Sequence, residues 1–185
     1  MAFLFMEKFK YNPEIHHRQS IRLKGYDYSS PGFYFVTICI DDGQYQFGNV
    51  VNKKMYLSSI GEIVQKCWLE IPKHYPNIVL NEFVVMPNHV HGIIEIIVQR
   101  SVRAQNLEPV HDLLPSQNEF QHIIPKSLGS IIRGFKIGVT KWCRKNNHEY
   151  FKWHRDFYDH IIRENDDIDD IRQYIKNNPA DWEGG

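Results

Sequence analysis

The sequence predicts an α+β domain built on a four-stranded antiparallel sheet. Two observations carry this. Apolar spacing alternates between strand and helix periods in the order β-α-β-β-α-β followed by one more helix, and the two middle strands are separated only by the turn residues Pro87 and Asn88. The 185 residues include 42% hydrophobic side chains, enough for one sizeable core, and no linker or repeat divides them, so a single domain is expected over 1–185. Cys39, Cys67 and Cys143 stand far apart within apolar patterns, which excludes a disulfide framework and a cysteine-rich zinc site. No apolar stretch approaches the roughly 18 residues that span a membrane. The first ten residues are too short for a signal peptide and carry Glu7, so no membrane partner and a cytoplasmic location are expected.

Residues 1–30 read as a polar N-terminal arm containing Arg18, Arg22 and Lys24. Phe33–Ile40 is β-branched and aromatic between Pro31-Gly32 and Asp41-Asp42-Gly43; it reads as a strand, and its nearly unbroken apolarity points to a central one. Val50–Tyr56 suits a short hairpin arm. Ser59 opens a helix with Ile60, Ile63, Val64, Cys67, Trp68 and Ile71 at helical spacing before Pro72. Ile78–Met86 and His89–Val98 are the middle strands. Residues 99–125, with Pro109 and Pro115 and no clear period, read as an exposed loop. From Ser127 a long helix puts Leu128, Ile131, Ile132, Phe135, Val139, Trp142 and Cys143 on one stripe. Phe151–Arg163 reads as the fourth strand. Ile168, Ile171 and Ile175 mark a last helix, capped by Asp166 and ended by Pro179. This order is the split β-α-β arrangement of ferredoxin-like and RNA-recognition-like sheets, with helices on one face and an extra C-terminal helix carrying Tyr174.

Basic and acidic residues number 22 each, which excludes a uniformly basic chain. The charge is segregated nonetheless: residues 121–163 carry a net +6 and residues 164–185 a net −5. The acidic run suits the N-terminal end of a helix dipole. The basic stretch leaves a local surface for a phosphate backbone, drawn from Arg133, Lys136, Lys141, Arg144, Lys145, Lys152, Arg155 and Arg163, with Arg18, Arg22 and Lys24 of the arm. Tyr26, Tyr28, Trp153 and Phe157 are candidates to stack on bases, although Trp153 and Phe157 suit a core as well.

The densest chemical signal is Met86-Pro-Asn-His-Val-His-Gly92. On a strand, residues i and i+2 share a face, so His89 and His91 can present two imidazoles to one ion while Val90 packs the other way. Two histidines make half a metal site, and further ligands are needed. Near the C-terminus, Tyr174 and Asn178 are i and i+4 on a helix, one turn apart beside the isoleucine stripe. Taken singly, they equally suit a boundary tyrosine and a helix-end asparagine.

Four segments, Gly32-Phe-Tyr-Phe-Val-Thr37, Met86-Pro-Asn-His-Val-His91, Trp153-His-Arg-Asp-Phe-Tyr-Asp-His-Ile-Ile-Arg163 and Tyr174-Ile-Lys-Asn-Asn-Pro179, occur in the order seen in the REP-associated tyrosine transposases. The chain resembles these single-tyrosine HUH proteins from Arg18 to Trp182. The resemblance implies a ferredoxin-like sheet, Tyr174 as nucleophile, a Mg²⁺ or Mn²⁺ ion bound by His89 and His91, and Asn178 as third ligand or orienting neighbour. It further implies nicking and strand transfer through a 5′-phosphotyrosine, with single-stranded DNA or hairpins of repetitive palindromes as partner. Whether a homodimer exchanges the tyrosine helix stays open. Tyr158 is a rival nucleophile. Two other classes remain: a binding module of the same fold that no longer cuts, and a phosphoesterase with a histidine nucleophile. The last would need another alternating histidine where Gly92 and Ile93 stand.

Overall fold

In the computed structural model, which describes residues 23, 25–98, 126–163 and 168–182, the apolar run after Pro31 forms strand β1 (Gly32–Cys39). A hairpin follows, β2 (Gly48–Val51) and β3 (Lys54–Leu57), turning at Asn52 and Lys53, both in the left-handed region that matches strand twist. Helix α1 (Ser59–Leu69) is capped by Ser58, whose hydroxyl accepts from the Gly61 N–H at 3.1 Å. Pro72 does not end the helical region. It sits in the first turn of a short helix, α2 (Ile71–His74), where its missing N–H costs nothing. Strands β4 (Ile78–Val85) and β5 (His89–Ile96), helix α3 (Leu128–Lys145), strand β6 (Tyr158–Ile162) and helix α4 (Ile168–Asn177) complete the order. Arg18, Arg22, Lys24, Asp166 and the 99–125 loop lie outside the described residues.

The sheet runs β4-β5-β1-β6 with every neighbouring pair antiparallel, the ferredoxin-like order. Helices α1 and α3 cover one face, burying Trp68, Leu128, Ile131 and Phe135 against Tyr34, Val36, Ile38, Val90 and Ile94. Gly92 is part of this packing, because a Cβ there would run into the Trp68 indole. Helix α4 lies on the opposite face and makes a second core from Ile171, Ile175, Phe35, Ile93 and Ile162. Covered on both faces, β1 and β5 are apolar at successive positions, which is the unbroken pattern of the sequence.

The fourth strand is shorter than its sequence pattern suggests. Trp153 makes only an isolated bridge to Ile40, and pairing with β1 begins at Tyr158. Between them the carbonyls of His154, Arg155 and Asp156 accept from the Lys136 ammonium at 2.8, 3.4 and 3.0 Å. Carbonyls turned to an ammonium do not serve a ladder.

Candidate active site

Antiparallel pairing sets Thr37 opposite His91 and Cys39 opposite His89. Alternation along β5 sends Val90 into the first core and turns His89 and His91 to the α4 side. The two imidazoles stand 4.4 Å apart between ring centroids, and the His91 ring stacks on Phe35 at 5.4 Å. Asn88 Oδ1 lies 2.7 Å from His89 Nδ1, and Thr37 Oγ1 lies 2.9 Å from His91 Nδ1. An amide oxygen only accepts, so His89 carries its proton on Nδ1 and presents a lone pair at Nε2. A Thr37 hydroxyl accepting from His91 Nδ1 would leave His91 Nε2 with a lone pair in the same way. Burial pulls His89 down to about 4. His91 falls well below its usual value, through burial first and the neighbouring His89 second. Both rings are therefore neutral at neutral pH, the state in which imidazole ligates a metal.

Tyr174 arrives from the other side of this cleft. Ile171 and Ile175 seat α4 in the second core, and the Tyr174 hydroxyl, on the flank of the same helix, comes within 3.5 Å of His91 Nε2. Its ring meets Phe35 edge to face at 6.2 Å. Burial pushes the phenol up, while a side-chain hydrogen bond with Asn178, one turn on, acts in the opposite direction. A register shift between Leu80 and Phe83 in β4 presents Asn81 and Glu82 to the helix. Arg172 Nε donates to Asn81 Oδ1 at 2.8 Å, and the Lys176 ammonium pairs with Glu82 at 3.2 Å. This bulge fixes where along the sheet α4 sits.

His91 and Tyr174 thus approach each other within one chain, with His89 beside His91 and Asn178 hydrogen-bonded to Tyr174. Tyr158 shares their face of the sheet but pairs with Thr37, two strands from His91, and burial with the Asp159 charge pushes it up to about 12. The basic residues are more dispersed. Arg133, Arg144 and Lys145 are exposed on α3, which packs on the face away from Tyr174, and the Lys136 ammonium is engaged by the 154–156 carbonyls. Lys152, Arg155 and Arg163 are exposed along the approach to β6 and at its end. Tyr28 is buried and Trp153 and Phe157 pack on the first core. Sequence reasoning missed Asn88, Phe35, Thr37 and Trp182 as neighbours of the cluster. The Gly32–Thr37 segment held a signal for two of them, but their pairing depends on sheet register.

No protein-family model matches the chain. An uncharacterized protein of Haemophilus influenzae is 46% identical over 175 residues, covering 94% of each chain. The chain belongs to the family of that protein. Among solved structures, the REP-associated tyrosine transposase bound to a REP hairpin superposes with a TM-score of 0.53 over 86% of this chain and 72% of its own, at 20% identity. The chain shares the fold of that structure. Among the described residues no group of three His, Cys, Asp or Glu side chains is placed to hold a metal ion.

Proposed function

We propose that this protein is a metal-dependent transposase that nicks and rejoins single-stranded DNA or DNA hairpins through Tyr174. The observation that carries the reading is the approach of the Tyr174 hydroxyl to 3.5 Å from His91 Nε2 within one chain, beside a second neutral imidazole. The hairpin substrate is suggested by the hairpin-bound transposase of the same fold.

The donor set fits a Mg²⁺ or Mn²⁺ ion in part. His89 and His91 would supply Nε2 atoms and Asn178 its amide oxygen, with phosphate oxygens and water completing the shell. When bound, such an ion neutralises charge developing on the phosphate. The chain's own residues supply the rest. Tyr174 Oη attacks the phosphorus in line; the Oη–P bond forms as the P–O3′ bond breaks, the phenol proton leaves to solvent, and the 3′ oxygen takes up a proton. The products are a 5′-phosphotyrosine and a free 3′-OH. Because an aryl oxide is a good leaving group, an incoming 3′-OH can reverse the step onto another strand. Phe35 and Ile175 hold the two reacting elements in register. Arg155 and Arg163 are the described cations best disposed to reach a strand entering near β6, whereas Arg133, Arg144 and Lys145 would meet only DNA that passes round the sheet.

A 5′-extended hairpin incubated with Mn²⁺ tests this on a denaturing gel. The native chain should give an SDS-stable protein-DNA adduct and Tyr174→Phe none, with EDTA stopping cleavage. An adduct surviving in EDTA rejects the metal role; no adduct from the native chain leaves a silent binding module of the same fold.

A further inference from the structure

The segment after β1 and the tail after α4 bring two aromatic rings together beside His89. Trp182 lies 5.9 Å from the His89 ring and meets Tyr45 edge to face at 5.6 Å. Among the described residues, neither side chain packs into either core, and Tyr45 is 39% exposed. The supports of both rings are nevertheless built. The Asp42 carboxylate accepts from Gln44 N at 3.1 Å and Gln46 Nε2 at 2.9 Å. Asn88 Nδ2 donates to the Gly43 carbonyl at 3.1 Å, tying the Tyr45 segment to the turn that carries His89. On the other side, the Ala180 and Asp181 amides donate to the Asn177 carbonyl at 2.8 and 3.0 Å, so the chain folds back directly after α4.

Outside the two cores, a hydrogen-bonded mount beside the cluster holds the two rings at one place. Nucleobases in a single strand offer the matching surface, an apolar π face beside each phosphate. We propose that Trp182, backed by Tyr45, stacks on the base of a nucleotide adjoining the phosphate engaged at His89 and His91. The inference rests on the single-stranded DNA reading above and adds a residue that sets which phosphate is presented to Tyr174. Trp182 touches no reacting atom in this scheme; it is a substrate-positioning residue. Every base has a π face, so the contact fixes register along the strand more than base identity.

The test scans abasic sites through two nucleotides on either side of the cleavage point. Single-turnover adduct formation is measured with the native chain, Trp182→Phe and Trp182→Ala, and binding of the same strands by anisotropy with each tryptophan variant in a Tyr174→Phe background. One abasic position should weaken native binding and cleavage by roughly tenfold to a hundredfold. Trp182→Ala should show the same loss on intact DNA and no further loss at that position, and Trp182→Phe should retain most of the function. Trp182→Ala that binds and cleaves like the native chain, or cleaves faster, overturns the proposal, as do penalties that multiply at every position. If no protein forms an adduct, the cleavage reading fails by itself, and the anisotropy arm still decides whether Trp182 stacks.

Discussion

Thr37 opposes His91 because β1 and β5 pair in one register, and that pairing gives the imidazole a partner at Nδ1. A valine there keeps the shape and removes the hydroxyl. Thr37→Val should weaken Mn²⁺ binding about tenfold, as outer-shell partners of metal-bound histidines typically do, and Thr37→Ser should restore it; calorimetric titration of the protein without DNA reads this directly. Tyr174 makes a pH prediction. Its phenol is raised above the ordinary value, so it is protonated near neutrality, and each pH unit increases the phenolate fraction tenfold. His89 titrates near 4 and His91 lies below its usual value, so both stay neutral over the same window. The single-turnover rate of adduct formation should therefore climb with a log slope approaching 1 between about pH 6 and 9. A flat profile would contradict phenol ionisation at or before attack. That His89 and His91 share a strand face and that Tyr174 and Asn178 stand one helical turn apart was legible because those spacings are local, whereas joining the two pairs into one site came from the family resemblance. Thr37 and Trp182 were not legible, since their nearness to His91 and His89 is created by pairing and by the fold-back after α4.

At the scale of elements, α4 has ten residues, too few to persist as an isolated helix. It stays in place through Ile171 and Ile175 and through the Arg172 and Lys176 contacts with the β4 bulge. Exposed ion pairs contribute little, so the apolar anchors dominate. Ile175→Ala should cost about 2–4 kcal/mol locally. Hydrogen exchange should then accelerate in α4 while β1 and β5 stay protected by the first core, and adduct formation should fall at least tenfold. Uniform loss of protection across the sheet would mean that the two cores are one cooperative unit. The element order was readable from periodicity, and the double-sided apolarity of β1 announced a central strand. The truncation of β6 was hidden, because it follows from Lys136, eighteen residues before His154, drawing three carbonyls away from the ladder. The β4 bulge was not read either, although two successive polar residues, Asn81 and Glu82, interrupt the apolar run of Ile78–Val85 where the register shifts.

Across the whole molecule, the sheet divides two tasks. One face buries α1 and α3 in the main core; the other carries α4, the histidine pair and Tyr174. The neutral total of 22 basic and 22 acidic residues conceals this division. The basic residues of α3 face away from the cluster, while the acidic residues Asp169 and Asp170 stand in the first turn of α4, where the helix dipole favours carboxylates. On the proposed reading, phosphate attraction at the cluster rests, among the described residues, on few cations and on the ion that the imidazoles and Asn178 would hold. Binding of that kind would present one phosphate to one phenol, so the proposed mechanism turns on which tyrosine is the nucleophile. After trapping the adduct on a 5′-extended hairpin and digesting protein and DNA, tandem mass spectrometry should place the residual phosphonucleotide on the peptide containing Tyr174. Finding it on Tyr158, or finding only unmodified tyrosines after cleavage, would contradict this account.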